Sequence, residues 1–425
     1  MIVEFSVENY KSFRDRTTLS MVASGAVSED PQVDQDNVLQ GLDETRLLCS
    51  AAIYGANASG KSNLVAAIRF MQNFIRKSST DSQAEDVIDV EPFLLNTSTE
   101  NEPSLFEIVL IADEVEYRYG FQVTQNRVIA EWLFGAYSTK ETTLFTRDEH
   151  GIKLGVKLKA AKHLTELTRP NALFLSVAAQ FNNPIALSII RWFARLEVAS
   201  GLQDGNFWMQ SLRSLGTEET RSEILSFITR LDVGISDLRL SSDVDSTDIK
   251  AAIMSLLRSD FMGETPSIIT VHNVFDPDGA RVGTKELTLS KHESQGTRKL
   301  IALAAPLLSV LKRGGLMFID EFDARLHPIM TRSLVQLFAT PLVNIGSAQL
   351  IFVTHDTNLL DKHIFRRDQI WFTEKDSQGA THLTSLVEYK VRNTESFEKN
   401  YVQGRYGGIP FLGDLTRLPG EYEHA

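Results

Sequence analysis

One stretch, residues 47–62, constrains the fold more than any other part of the chain. It reads LLCSAAIYGANASGKS. Residues 47–54 form an apolar run of the length expected for a buried strand, and residues 63–76 carry apolar side chains at helical spacing. Between them, residues 55–62 fit the pattern G-x-x-x-x-G-K-S. A strand, a glycine-rich loop and a helix in this order predict a phosphate-binding loop, or P-loop.

Anion binding is the chemistry that such a loop provides. Backbone N–H groups of the loop and the positive end of the following helix point toward phosphates. Lys61 adds a charge for the outer phosphates, and the Ser62 hydroxyl can ligate Mg²⁺. A glycine-rich turn with a chance lysine is the weaker alternative, because strand, motif and helix all agree. The predicted phosphate-binding residues are Gly55, Ala56, Asn57, Ala58, Ser59, Gly60, Lys61 and Ser62.

Composition places the chain among soluble globular proteins. Hydrophobic residues make up 43% and charged residues 23% of its 425 residues, and no apolar run is long enough to span a membrane. The first residues lack the features of a signal peptide. Cys49 is the only cysteine, so it cannot form an internal disulfide, and we expect a small core residue. These features predict a cytoplasmic protein without a membrane partner.

The domain organisation is predicted from changes in pattern along the chain. Residues 1–156 would form an N-terminal lobe with the P-loop and an antiparallel β meander, since alternating strand patterns run from about 104 to 148. Helical spacing dominates in residues 157–265, which would form a helical insertion without coiled-coil heptads. Residues 266–425 would form a C-terminal lobe. The expected fold class is α/β.

Two carboxylates follow an apolar strand in residues 316–321, LMFIDE. Asp320 would hold Mg²⁺ opposite Ser62, and Glu321 would orient or deprotonate an attacking water as general base. The alternative is a strand end that meets solvent. The P-loop in the same chain favours the catalytic interpretation.

A second apolar strand, residues 351–354, ends in front of His355. A histidine at this place can contact a terminal phosphate or the attacking water and report the nucleotide state. A lone histidine is more often structural. Its position at a strand end, soon after Asp320, favours the sensor interpretation.

A helix start forms the fourth element, residues 293–297, ESQGT, before an apolar helix over 298–311. Ser294 suits an N-cap, and Gly296 allows close backbone approach. This start is either a second phosphate-binding site or a simple cap. In the polar loop after Glu321, Asp323 and His327 are candidates for contacts across a dimer interface, or for capping the next helix.

In this order, the four elements resemble the ABC-class ATPases related to chromosome-maintenance proteins. More narrowly, the chain resembles the OLD-like, RloA-like and PARIS-type ATPase subunits of bacterial abortive-infection and phage-defence systems. The resemblance rests on residues 5–13, 54–63, 91–93, 294–297, 318–328 and 401–410. It implies an ABC-type P-loop ATPase head that uses ATP and Mg²⁺. Ser294 and Gly296 would then belong to a signature that contacts the nucleotide of a second subunit.

Further implications concern assembly. The resemblance implies a homodimer or higher oligomer formed through ATP, hydrolysis of ATP to ADP and phosphate, and a separately encoded effector, either a nuclease or another toxin. Members of the broad group often carry a Toprim nuclease domain after the ATPase, and we expect none here. Whether DNA or a phage component binds stays open.

Two alternatives remain for the function. The chain could be a stand-alone DNA-repair or recombination ATPase, gripping DNA through a local basic groove despite a net charge of −12. It could also be a scaffold that binds ATP and hardly turns it over, which intact Lys61, Asp320 and Glu321 disfavour. Candidates for the basic groove are Lys153, Lys157, Lys159, Lys162 and Arg169, with a solvated helix face as the plainer interpretation.

Overall fold

The fold was analysed in a computed structural model, which describes residues 1–81, 83, 85–137, 140–201, 205–231, 233–241, 268–392 and 395–409. The α/β class predicted from the sequence is confirmed. Parts of the predicted helical insertion and of the predicted C-terminal lobe lie outside the described residues: residues 202–204, 232 and 242–265 of the insertion, and residues 266–267, 393–394 and 410–425 of the lobe, with Pro410 of the resemblance among them.

Eighteen strands are present among the described residues. In chain order, β1–β18 are Ile2–Glu8, Thr17–Ser20, Val38–Gln40, Arg46–Leu48, Ser50–Gly55, Ser104–Ala112, Val115–Val123, Val128–Ala136, Glu141–Asp148, Gly151–Leu154, Leu196–Ser200, Ile235–Leu240, Ile268–Phe275, Arg281–Thr288, Leu316–Asp320, Gln349–Val353, Ile370–Lys375 and Thr381–Ser385.

Eleven α-helices accompany them within the described ranges. In chain order, α1–α11 are Pro31–Asp36, Lys61–Lys77, Lys162–Leu167, Phe174–Gln180, Pro184–Ala194, Gly205–Leu215, Glu218–Thr229, Leu289–His292, Gln295–Arg313, Pro328–Phe338 and Phe397–Val402. Short 3₁₀ helices lie at Thr99–Asn101, Val156–Ala161, Thr357–Leu359, Arg367–Gln369 and Leu386–Glu388.

A six-stranded central sheet carries the site, in the order β11-β15-β16-β5-β17-β18. Its first five strands are parallel, and β18 pairs antiparallel to β17. Strands β5 and β16 are buried along their whole length, as expected of parallel strands covered on both faces. Because the strands are parallel, the ends of β15, β16 and β5 reach the same edge of the sheet.

Side chains of the central sheet alternate between two cores. Ile53 and Phe318 belong to one core, whereas their neighbours Tyr54 and Ile319 belong to the other. This period of two is the geometry of a strand with both faces buried. The first core also contains the apolar face of α2 and the antiparallel sheet, so α2 packs between the two sheets. The second core contains α9 and α10.

The antiparallel sheet has seven strands in the order β10-β9-β8-β7-β6-β1-β2. Strands β6, β7, β8 and β9 form the meander that the alternating patterns from about 104 to 148 predict. The first strand of the chain, β1, pairs with β6 and extends the sheet. The N-terminal segment therefore belongs to the same subdomain as the meander.

The segment predicted as a helical insertion also contains strands. Helices α3–α7 lie within it, but β11 pairs in parallel with β15 and forms one edge of the central sheet. Strand β12 joins β13 and β14 in a separate three-stranded sheet. The insertion is thus joined to the central sheet beside Asp320. In the described part of the chain, no helix is long and apolar enough to cross a membrane.

Candidate nucleotide-binding site

The P-loop connects β5 to α2, as the sequence predicts, but the single strand expected over residues 47–54 is divided. Its first residues belong to β4, which pairs with β3, and only β5 enters the central sheet. Gly60 caps the start of α2 with φ at 110°, and Ala58 also has a positive φ of 63°. A Cβ at Gly60 would lie 2.1 Å from the Thr381 hydroxyl oxygen, so only glycine fits there. The first N–H groups of α2 have no partner within the helix. They are therefore available to phosphate oxygens.

Neighbouring strands fix the shape of this loop. The Ser59 hydroxyl lies 2.6 Å from the hydroxyl of Thr373, a residue of β17. Thr381, at the start of β18, donates to the Ser59 carbonyl at 2.8 Å. The N-terminal segment also takes part, because Asn63 donates to the Ser12 hydroxyl at 2.7 Å. These contacts hold the loop in shape from both sheets.

Lys61 lies in the middle of the site and is only 6% exposed. Its ammonium donates to the carbonyls of Gly55 and Ala56, both at 2.8 Å. Burial lowers the pKa of Lys61. Three carboxylates, those of Asp320, Glu321 and Asp323, act on this pKa in the opposite direction. The predicted lysine and carboxylates therefore interact electrostatically in one site.

Asp320 is the last residue of β15, where the sequence places it. Its Oδ1 is buried and has no hydrogen-bond partner among the described residues. A buried carboxylate oxygen in this state is costly unless a ligand completes it. Asp320 thus presents an acceptor at the edge where the P-loop begins.

Mg²⁺ fits this donor set. Mg²⁺ is held in such sites by one or two protein oxygens together with waters and substrate phosphates. Within the described ranges, no group of three or more His, Cys, Asp or Glu side chains could hold a metal by itself. Ser62, exposed in the first turn of α2, and Asp320 would supply the protein oxygens.

Glu321 follows directly and has a different backbone. Its φ is 50°, a left-handed conformation that few non-glycine residues adopt. The chain is held in this turn because the Phe322 N–H donates to the Val353 carbonyl at 3.0 Å, at the end of β16. The strand conformation thus ends at Asp320, and Glu321 belongs to the turn that follows it.

His355 follows β16 and is tied to the loop after Glu321. Its backbone N–H donates to Asp323 Oδ1 at 3.3 Å. Partial burial and the nearby Lys61 ammonium lower the pKa of His355, against the effect of the three carboxylates. A neutral imidazole beside Lys61 can accept or donate a hydrogen bond at a phosphate or a water.

The second predicted helix start lies against the same loop. Ser294 caps α9 by accepting from the Thr297 N–H at 3.1 Å, so the simple capping interpretation is part of the observed structure. A Cβ at Gly296 would lie 2.7 Å from the Arg325 carbonyl, which shows how closely the two backbones approach. His327 caps α10 through its ring nitrogen, which accepts from the Ile329 N–H at 3.3 Å.

Sequence reasoning missed Lys299, a buried lysine in α9. Its ammonium donates to the carbonyls of Phe322 and Ala324 at 2.9 and 2.7 Å. The burial of Lys299 can be predicted from helical spacing, because Lys299 precedes the buried Leu303 by four residues and therefore shares its helix face.

The C-terminal segment was noted only as part of the resemblance, yet it touches the P-loop. Gly408 packs so closely that a Cβ there would lie 3.4 Å from the Gly55 Cα. Tyr401 donates to the Gly408 carbonyl at 3.1 Å and stacks on Phe372. No local pattern could place this segment at the start of the loop.

Some residues of the predicted basic run have partners within the chain. Lys153 donates to Asp148 at 2.9 Å, and the Lys157 ammonium lies 3.9 Å from the centre of the Tyr137 ring. Arg169 donates to the Ser78 carbonyl at 3.1 Å. Lys153 lies on β10 and Arg169 follows α3, so these residues do not share one helix face, and that interpretation of the run is wrong.

Fold and site together define the class. A central sheet with a P-loop on one strand, an acidic pair at the end of a second and a histidine after a third is the arrangement of an ABC-like P-loop ATPase. The chain belongs to the family described as "AAA domain, putative AbiEii toxin, Type IV TA system", whose match covers residues 50–361, more than half of the chain.

Among solved structures, the chain is similar to the SMC head domain from Thermotoga maritima, with 14% identity and a TM-score of 0.42. That match covers 90% of this chain and 98% of the other. A search of curated proteins found no match.

Proposed function

We propose that this chain binds ATP with Mg²⁺ and hydrolyses it to ADP and phosphate. The observation that carries the proposal is the unpartnered, buried Oδ1 of Asp320 beside Lys61. An acceptor and a cation at the mouth of a P-loop are complementary to a metal-bound triphosphate. The family membership supports the same activity.

Each part of the site has a role in this proposal. The loop N–H groups and Lys61 bind the phosphates. Asp320 and Ser62 would hold Mg²⁺, which when bound neutralises charge on the phosphate oxygens. Glu321 orients the attacking water and accepts its proton. His355 reports the terminal phosphate to the loop after Glu321, through its contact with Asp323.

A second subunit completes the site in this proposal. Ser294 is exposed at the start of α9, where its hydroxyl oxygen accepts from the Thr297 N–H and lies 2.9 Å from the Thr297 hydroxyl. With the Thr297 hydroxyl as donor in that pair, the Ser294 O–H and the first N–H groups of the helix can donate to an anion. These groups would bind the terminal phosphate held by a partner copy. ATP would then join two copies, each completing the other's site.

The biological role that we propose is control of a separately encoded effector in a bacterial anti-phage defence system. Two things support it: the family description, which includes a putative AbiEii toxin and a type IV TA system, and the resemblance of the motifs to defence ATPases. The role can be tested by purifying the chain from cells that express its neighbouring gene. Co-elution of the neighbour's product in an ATP-dependent manner is expected, and its absence with and without ATP would contradict this role.

The activity itself is tested through Lys61. In Lys61→Ala the carbonyls of Gly55 and Ala56 lose their ammonium and the phosphates lose their cation, so we expect ATP affinity to fall by at least about 10²-fold. Calorimetry with ATP–Mg²⁺ measures it. The control is Lys77→Ala, at the exposed end of the same helix, where Lys77 lies 3.9 Å from Asp81. Equal affinity of the two variants would contradict the P-loop assignment.

A further inference from the structure

Lys299 connects two elements of the site that lie far apart in sequence. It is in the second turn of α9, the helix that begins at Ser294, and it is 1% exposed. Its ammonium donates to the carbonyls of Phe322 at 2.9 Å, Ala324 at 2.7 Å and Glu321 at 3.4 Å. The Lys299 side chain therefore holds the backbone of Glu321 and of the loop that follows it.

Space for this ammonium is built into the fold. Gly201, just after β11, donates to the Asp320 carbonyl at 2.6 Å. A Cβ at Gly201 would lie 2.1 Å from the Glu321 carbonyl and 2.7 Å from the Lys299 ammonium. Because glycine has no side chain, the Glu321 carbonyl and the Lys299 ammonium can both lie close to Gly201. These contacts bring β11, β15 and α9 together near Asp320, the residue before the proposed general base.

Burying an ammonium is expensive unless hydrogen bonds satisfy it. Here they also hold a conformation that the backbone does not prefer, since Glu321 and Arg325 have positive φ values of 50° and 66°. Gly296, in the first turn of α9, packs on the carbonyl of Arg325 in the same loop. A displacement of the start of α9 would therefore move the loop through two contacts, one of them the Lys299 ammonium.

We propose that Lys299 is a positioning residue that transmits anion binding at Ser294 and Gly296 to the geometry of Glu321. The inference rests on the proposed ATPase function. As a consequence, the partner's nucleotide binds at the start of α9 in one subunit. This binding sets the rate at which that same subunit hydrolyses the ATP in its own P-loop. Lys299 touches no nucleotide in this mechanism and acts only through the loop backbone.

The first test is the kinetic effect of Lys299→Met. Methionine keeps the length and apolar stem but removes all three donated bonds. A displacement of about 1 Å at a catalytic group costs on the order of 10²-fold in rate. We expect kcat for ATP to fall by about that factor, with KM within about threefold, because the P-loop is untouched. A kcat within threefold of the unmodified protein would overturn the proposal.

The matched control is Lys312→Met, in the last turn of the same helix, where Lys312 is half exposed and pairs with Glu223. We expect it to leave kcat unchanged. Where Lys299→Met does not fold, Lys299→Gln takes its place, because it buries no charge and its polar amide suits the polar surroundings. Its nitrogen is one bond closer to the backbone and has only two N–H groups, so it cannot reproduce the three bonds of the ammonium. The same directions of change are expected, and an unchanged kcat overturns the proposal in this variant too.

Hydrogen exchange measures the coupling without depending on hydrolysis. The amides of Phe322, Ala324 and Leu326 all donate to backbone carbonyls, so their exchange reports the order of the loop. We expect exchange in residues 321–326 to be faster in Lys299→Met than in the unmodified, nucleotide-free protein. Equal exchange would overturn the positioning role, even if the protein had no ATPase activity.

The same measurement with AMP-PNP and Mg²⁺ tests transmission. We expect the analogue to slow exchange in residues 321–326 of the unmodified protein, and to have little effect on this segment in Lys299→Met. Equal slowing in both would overturn transmission through Lys299. Failure of the unmodified protein to bind AMP-PNP would instead contradict the proposed function, which separates the two outcomes.

Discussion

Neighbouring carboxylates at the end of β15 have different surroundings. Asp320 keeps a buried oxygen that no described residue satisfies, whereas Glu321 is turned out of the strand by a left-handed backbone. This difference agrees with the separate roles that we propose for the two carboxylates. In the proposed function, the first carboxylate would bind the metal with the substrate, and the second would act on water.

Glu321→Gln separates binding from turnover. The amide has nearly the shape of the carboxylate but cannot accept a proton, and a positioned general base supplies about 10²–10⁴-fold. We expect ATP affinity within about threefold of the unmodified protein and a kcat reduced by that factor. Calorimetry and phosphate release measure the two quantities. Turnover near that of the unmodified protein would remove Glu321 from this role.

The lowered pKa of His355 predicts the direction in which the free energy of unfolding changes with pH. Partial burial and Lys61 lower its pKa, so below the usual value near 6.5 the unfolded chain binds the proton more readily than the folded one. The free energy of unfolding therefore decreases as pH falls from about 6.5 toward the lowered pKa.

NMR titration of the imidazole checks this expectation. We expect a midpoint below 6.5 in the unmodified protein. In Lys61→Ala the midpoint should rise toward 6.5, because one of the two causes has been removed. A midpoint at or above 6.5 in the unmodified protein would contradict the account of the site's electrostatics.

Among the elements, α4 shows how the β subdomain and the insertion are joined. Glu131, on β8, is 0% exposed and accepts from the first two N–H groups of α4, those of Phe174 at 2.7 Å and Leu175 at 3.0 Å. The Tyr119 hydroxyl donates to the same carboxylate at 2.9 Å. A strand side chain thus caps a helix that has no cap of its own.

Glu131→Ala should therefore destabilise the fold. It leaves two helix N–H groups and the Tyr119 hydroxyl without their acceptor, and the Arg147 guanidinium without a carboxylate 3.8 Å away. Removing one partner of a buried pair costs about 3–5 kcal/mol of unfolding free energy. Urea denaturation measures it, with Glu141→Ala, an exposed carboxylate of the same sheet, as control. Equal stability of the two variants would contradict the capping role.

Elements that a short stretch of sequence specifies can be predicted from the sequence, whereas elements that depend on contacts with distant segments cannot. The P-loop, β15 and the start of α9 were predicted because each is specified by a short pattern. Strand β11 was not, because Leu196 continues the apolar spacing of α5 and its partner β15 lies more than a hundred residues away. Lys299 and Glu131 were missed for the same reason: their acceptors and donors come from distant segments.

For the whole molecule, the arrangement of the site supports the proposed assembly of two copies around ATP. The P-loop, the carboxylates and His355 meet at one edge of the central sheet, while Ser294 is exposed at the start of α9 and serves its own helix only as a cap. In the proposed dimer, ATP bridges the P-loop of one copy and Ser294 of the other. Nucleotide, and not protein contact alone, would hold the copies together.

The most direct test is the native mass of Glu321→Gln with and without ATP–Mg²⁺. This variant retains bound ATP in our account, so we predict a shift from monomer to dimer mass on adding nucleotide. Adding Ser294→Arg to it should keep the monomer mass while ATP still binds, because a bulky side chain blocks only the partner's approach. A mass that ignores ATP, or a double variant that dimerises normally, would contradict assembly around the nucleotide.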